Sequence, residues 1–237
     1  EGTVIRTDSA MQIIILFCLL LSQRLLEGRR TTLYVVQGLL LGIGFSTKFA
    51  ACFAIFPFLA AHAASGAGWR DFFSRKLWWT AIFLPLGILI SGPYLLLHPG
   101  ETLEGIRAMA SRVGGADPGM QAPHPLGGWG YFLLDIYGSM GFLTLAAFLI
   151  GTFWMMAQPR DRSRLAVLLA LPLSLYLLAL GPNPIHVPRF LLPAAPGLVL
   201  VTAFFLDYLW RSVTPPWRNW GVAAAGAASK MATKAVR

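Results

Sequence analysis

A chain of 237 residues is long enough for one or two soluble domains, but 56% hydrophobic and only 12% charged residues, with a mean hydropathy of +0.63, exclude that reading. A soluble surface needs about 25% charged residues. The net charge of +9 does not mark a nucleic-acid binder either, because no basic run is interleaved with aromatics and the charges fall between apolar stretches, as in a protein whose solvent is a bilayer.

The chain opens at Glu1, without an initiator Met, and is read as a fragment of a longer protein. Ile5-Arg-Thr-Asp-Ser9 leads into a first apolar stretch over 9–26, which spans if Arg24 snorkels at its end. Asp8 stands just before this stretch, where an acid is most simply a helix N-cap. The next region, 31–65, has about twice the length of one span and is interrupted only by Lys48, so it is expected to form a hairpin of two short helices meeting near Thr47 and Lys48. Within it, Gly38-Leu-Leu-Leu-Gly42 is a small-xxx-small helix-packing pattern. A helix over 77–97 follows the basic residues Arg70, Arg75 and Lys76.

The segment 98–130 is a loop rich in Gly and Pro with one helix signal. In 101–112 the acids Glu101 and Glu104 open the helix and Arg107 and Arg112 follow, with Leu103, Ile106 and Met109 as an apolar stripe. That placement suits the helix dipole and a helix lying on a membrane surface. The remainder of the loop carries Asp117, His124 and Trp129 and reads either as a lid or as a plain connector. Helices over 131–157, 165–181 and 190–210 complete the pattern, with Asp135 near the start of the first. Between the last two, Pro182, Pro184 and Pro188 stiffen the segment holding His186 and Arg189.

Seven segments place Arg24, Arg29 and Arg30, the Arg70–Lys76 group, Arg160, Arg162 and Arg164, and the tail's five basic residues on one face, 14 of the 19 in all. The positive-inside rule makes that face cytoplasmic. The expectation is therefore an all-α, polytopic bundle of about seven membrane segments. Residues 1–210 form the transmembrane body, 98–130 an outer loop with an interfacial helix, and 211–237 a basic cytoplasmic tail. Cys18 and Cys52 fall inside spans and behave as small apolar groups.

Three charges stand at membrane depth on the outer side: Asp8, Lys48 and Arg189. Intramembrane charge is costly and marks candidate function, although snorkelling accounts for a lysine or arginine at a helix end. His98, His124 and His186 match no helical metal-ligand spacing, and no nucleotide-binding glycine loop, nucleophile elbow or paired-cysteine motif occurs.

Gly38-Leu-Leu-Leu-Gly-Ile-Gly-Phe-Ser-Thr-Lys-Phe49, followed by a helix containing Pro57, resembles the hairpin of polytopic glycosyltransferases of the GT-C superfamily that use lipid-linked sugars. The nearest group is glycosyltransferase family 39, which includes protein mannosyltransferases and the bacterial aminoarabinose transferases of lipid A. Arg6-Thr-Asp-Ser9 resembles that family's second outer acidic site, Ser91-Gly-Pro-Tyr-Leu-Leu-Leu97 its helix end, and Arg189-Phe-Leu-Leu-Pro-Ala-Ala-Pro196 its arginine-led segment.

The resemblance implies sugar transfer from a polyprenyl-phosphate donor to a glycan, lipid or protein acceptor, on the periplasmic side of a bacterial inner membrane. It gives Asp8 the catalytic acidic role, with a divalent cation such as Mg or Mn held there, and makes Lys48, Arg189, Tyr94 and His186 substrate-binding residues. The family's principal catalytic acid lies in a first outer loop that would precede Glu1, so the 237-residue chain alone is expected to lack transfer activity. A transporter or flippase of a lipid-linked or anionic substrate is the rival reading, and a membrane scaffold subunit a third.

Overall fold

The computed structural model describes residues 2–66, 73–111, 127–180 and 192–213, and those residues are almost entirely helical. In chain order the elements are α1 (Gly2–Glu27), α2 (Thr31–Thr47), a 3₁₀ segment (Phe49–Ala54), α3 (Ile55–Ala64), α4 (Arg75–Ser91), α5 (Tyr94–Leu97), α6 (Pro99–Ser111), α7 (Gly127–Ala157), α8 (Arg162–Leu175), a π segment (Tyr176–Leu180) and α9 (Ala195–Val213). Among the described residues, three stretches are long and apolar enough to cross a membrane: Asp8–Glu27, Ile136–Ala157 and Leu192–Ser212. Large apolar side chains stand bare along them, Phe17 at 53% exposure, Phe142 at 70% and Phe153 at 70%, as they can where lipid is the solvent. The chain is a membrane protein on these grounds.

The described residues support three such spans rather than about seven membrane segments, a hairpin of two short helices among them, as read from the sequence. α2, at 17 residues, rises about 26 Å, short of a bilayer core of about 30 Å. It ends because Lys48 is extended, with φ −161° and ψ 127°, and the chain tightens into the 3₁₀ segment immediately after it. α4 stops at Ser91 because Gly92 leaves helical geometry and Pro93 follows. α8 holds Pro172 and passes into the wider π segment at Tyr176. The sequence marks the break at Lys48, but a charge-free run registers neither of the other two.

Packing follows from small residues. α2 lies along α4 with Gly38 against Thr80 and Phe83, and Gly42 against Leu84, Gly87 and Ile88. The pairing advances in the same sense on both helices, so they run parallel. A Cβ on Gly42 would overlap the Leu84 carbonyl oxygen and stand 2.8 Å from the Ile88 nitrogen. The glycine pattern read from sequence is thus a packing face, with backbones in direct contact. α1 presents Met11, Ile15, Cys18 and Leu19 to Leu41, Ala51, Ala54 and Leu171. Near its far end Leu25 joins Tyr34, Phe58, Ala61 and Val167. Met155 of α7 closes on Leu165 and Leu168 of α8 and Val201 of α9.

α7 is bent at Gly141, which adopts φ +70° and ψ 161° inside an otherwise helical run. This region is essentially restricted to glycine. No atom lies within 4 Å of an added Cβ there, so Gly141→Ala is expected to cost about 1–3 kcal/mol through backbone strain alone. The readout is the thermal midpoint of the purified protein in detergent micelles; an unchanged midpoint would mean that the helix straightens at no cost.

Candidate functional site

The end of the bundle at which α1 begins and α2 and α4 finish gathers the polar groups the sequence singles out. Lys48 Nζ donates to Asp8 Oδ1, joining two residues forty positions apart. Asp8 is the more enclosed partner, at 15% side-chain exposure against 34% for Lys48. Each is fixed by a different device. Asp8 lies inside α1, one turn before the buried Met11, and is not the N-cap expected of it, because the helix continues upstream to Gly2. Lys48 is held by the break itself: its N–H bonds the Gly44 carbonyl at 2.9 Å and its own carbonyl accepts from Ala51 N–H at 2.9 Å, so the residue cannot turn away with a helix.

At the same end Ser46 and Ser91 share a hydroxyl–hydroxyl hydrogen bond that ties the last turn of α2 to the last residue of α4. Ser46 Oγ lies 2.9 Å from the Gly42 carbonyl and Ser91 Oγ 2.8 Å from that of Gly87. Beyond the Gly92-Pro93 break, the exposed Tyr94 donates its hydroxyl to Glu101 of α6 and stacks on His98 with ring centroids 4.5 Å apart. His98 Nδ1 is 3.5 Å from Glu101 Oε1. α6 thus occupies the segment read as an acid-led helix, and it docks by an aromatic–carboxylate contact. Arg189 and His186 lie outside the described residues, as do Asp117, His124 and the tail beyond 213. Asp135 falls well inside α7 rather than at its start.

The implied divalent cation does not fit what surrounds Asp8. Asp8 Oδ1 accepts from the Lys48 ammonium, which competes for the oxygen a metal would use. Among the described residues no group of three or more His, Cys, Asp or Glu side chains comes together. The chemistry available here is that of a carboxylate paired with a fixed cation, with hydroxyl groups on the neighbouring helix ends.

The opposite end carries a cluster that hydropathy did not mark. Arg29, in the turn between α1 and α2, donates from Nη2 to the His62 carbonyl at 3.0 Å and from Nε to Ser65 Oγ at 3.2 Å. His62, fully buried in α3, has Nδ1 2.7 Å from the Tyr34 hydroxyl. Lys76 caps the turn by donating to the Arg29 carbonyl. Together these contacts lock α1, α2, α3 and α4 at one level. A lone histidine within an apolar run gives no spacing signal; the cue available in sequence was Tyr34 and His62 occupying the start and finish of the expected hairpin.

Comparison with protein families, curated proteins and solved structures finds no match to this chain.

Proposed function

We propose that the chain is the membrane body of a glycosyltransferase resembling GT-C family 39, which moves a sugar from a polyprenyl-phosphate donor to an acceptor at the Asp8–Lys48 end of the bundle. The observation that carries the reading is the ion pair itself. A carboxylate and an ammonium brought together from two different elements at a membrane surface match the two charge changes of such a transfer. The acceptor oxygen attacks the anomeric carbon while the carbon–oxygen bond to the lipid phosphate breaks. The acceptor proton passes to Asp8, and the bonding pair leaves with the phosphate oxygen, where Lys48 offsets the added negative charge. Lys48 can turn from the carboxylate to the phosphate without leaving the break that anchors it.

The seven-pass arrangement belongs to the same proposal. α1, α2, α3 and α4 alternate in direction, since Arg29 contacts the end of α3 and Lys76 the start of α2, while Ser46 meets Ser91 at the other end. α7, α8 and α9 alternate likewise, with Gly197 near Pro172 and Gly151 near Phe205. This sets Arg24, Arg29, Arg30, Arg75 and Lys76 at one end, which the positive-inside rule makes cytoplasmic, and the Asp8–Lys48 end periplasmic in an inner membrane.

The test is transfer of labelled sugar from a polyprenyl phosphate in membranes carrying the full-length protein. Lys48→Ala is expected to reduce it by about 10²–10³-fold, the scale of losing one preorganised charge at a leaving group. Unchanged transfer at normal expression would sink the assignment.

A second reading, transport, draws on Gln37. Its side chain is fully buried on α2, and neither amide atom has a hydrogen-bond partner. Leaving such a group unpaired costs about 1–3 kcal/mol, and polar groups are retained at membrane depth where they serve a path. Gln37→Leu separates the readings. Under the transferase it raises the thermal midpoint and preserves sugar transfer; under transport it abolishes substrate flux into proteoliposomes.

A further inference from the structure

The turn that joins α1 to α2 borders an open surface pocket of about 320 Å³ lined by Arg24, Glu27, Gly28, Arg30 and Leu33. Its depth in the bilayer follows from the helix that leads to it. Asp8–Glu27 is long and apolar enough to cross a membrane, so Arg24 and Glu27, in its last turn, stand at headgroup level. The lining sets two guanidinium groups beside an apolar wall, Leu33. It also includes the start of α2, whose N-cap residue Arg30 is extended and offers no side-chain acceptor to the first N–H groups of the helix. Those groups and the dipole behind them favour a negative charge. Gly28 adds room, because no atom lies within 4 Å of where its Cβ would stand.

Charge within the pocket is only partly balanced. Arg24 Nη1 lies 2.9 Å from Glu27 Oε2, and one carboxylate against two guanidinium groups leaves an excess positive charge. Arg29, in the same turn, directs its guanidinium to His62 and Ser65 and so shapes the field without entering the site. We infer that this pocket binds the phosphate of an anionic phospholipid headgroup. Arginine presents a planar fork that matches phosphate oxygens, Leu33 faces the methylenes next to the headgroup, and basic cavities between helices at the interface take such heads. Inorganic phosphate shares the anionic chemistry but gains nothing from Leu33 or from the interfacial position.

The experiment is native mass spectrometry of the purified full chain, exchanged in mild detergent with phosphatidylglycerol or phosphatidylcholine. The wild-type protein is expected to retain phosphatidylglycerol in preference. Arg24→Gln and Arg30→Gln are each expected to weaken that retention roughly five-fold, while Arg75→Gln, at the same end but outside the pocket, leaves it unchanged. Glu27→Gln frees Arg24 and is expected to strengthen retention about two- to five-fold, a gain that misfolding cannot imitate. The proposal is overturned if the two lipids bind equally, if Glu27→Gln weakens retention, or if inorganic phosphate displaces phosphatidylglycerol at matched concentration.

Discussion

Asp8→Asn is expected to lower sugar transfer by about 10²–10⁴-fold, the range spanned by loss of a positioned general base, while the protein stays folded. The substitution keeps the shape of the side chain and removes its charge. Its structural cost is small because the partner, Lys48, is a third exposed and can turn to solvent; a pair so placed contributes at most about 1 kcal/mol. Fold and activity therefore separate in one variant. The double variant Asp8→Asn/Lys48→Ala sharpens the result. If both residues act on one transition state through their contact, the double loses much less than the product of the single losses, because the base and the phosphate partner fail together. Multiplicative losses would mean that the two residues act at separate steps. Full activity in Asp8→Asn would remove the carboxylate from the chemistry.

Gly42→Leu is expected to be the most damaging substitution for stability, costing about 3 kcal/mol or more through overpacking. The position leaves no room even for a methyl group: an added Cβ would meet the Leu84 carbonyl oxygen, the Ile88 nitrogen at 2.8 Å and the Gly87 Cα at 2.9 Å. These are backbone atoms and cannot swing aside as a side chain tip can. Relief requires α2 and α4 to move apart, which also pulls Ser46 from Ser91 and exposes the buried Thr80. Gly105→Ala is the control, since nothing lies within 4 Å of its Cβ, and in the exposed α6 it should stabilise the helix by up to about 1 kcal/mol. Thermal midpoints in micelles compare the two. Equal midpoints would deny that α2 and α4 touch through their glycines.

Features set by charge were the ones legible in the sequence. The break at Lys48 could be placed because a single lysine divides an apolar run, and the same reading put Asp8 and Lys48 on one side of the membrane. Their contact could not be derived. It depends on the rotation of α1, which is decided by the packing of Met11, Ile15, Cys18 and Leu19 against other helices. The upstream extension of α1 was missed because 2–8 mixes polar and apolar residues and carries no hydropathy signal. One half of the α2–α4 contact was visible in Gly38 and Gly42. The other half was not, because Gly87 is a lone small residue beside Pro85, with no repeat to announce it. Tyr94 was named from the resemblance alone; its bond to Glu101 crosses the Gly92-Pro93 break, where helical spacing has no meaning. The ends of α4 and α8 were misplaced because absence of charge was taken as continuity of helix.

The parallel contact of α2 with α4 also sets an order of assembly. Two neighbouring helices that run the same way must be joined by a segment crossing back, and here that segment is made before the second partner exists. Membrane helices are inserted first and associate afterwards, and the chain leaves the ribosome N-terminal end first. The glycine face of α2 therefore waits in the bilayer against lipid, or against a translocon, until synthesis has passed Gly87. A nascent chain stalled in the α3–α4 connection would hold α1, α2 and α3 with that face uncovered, a species that quality-control machinery could recognise by a stripe of bare backbone rather than by exposed charge.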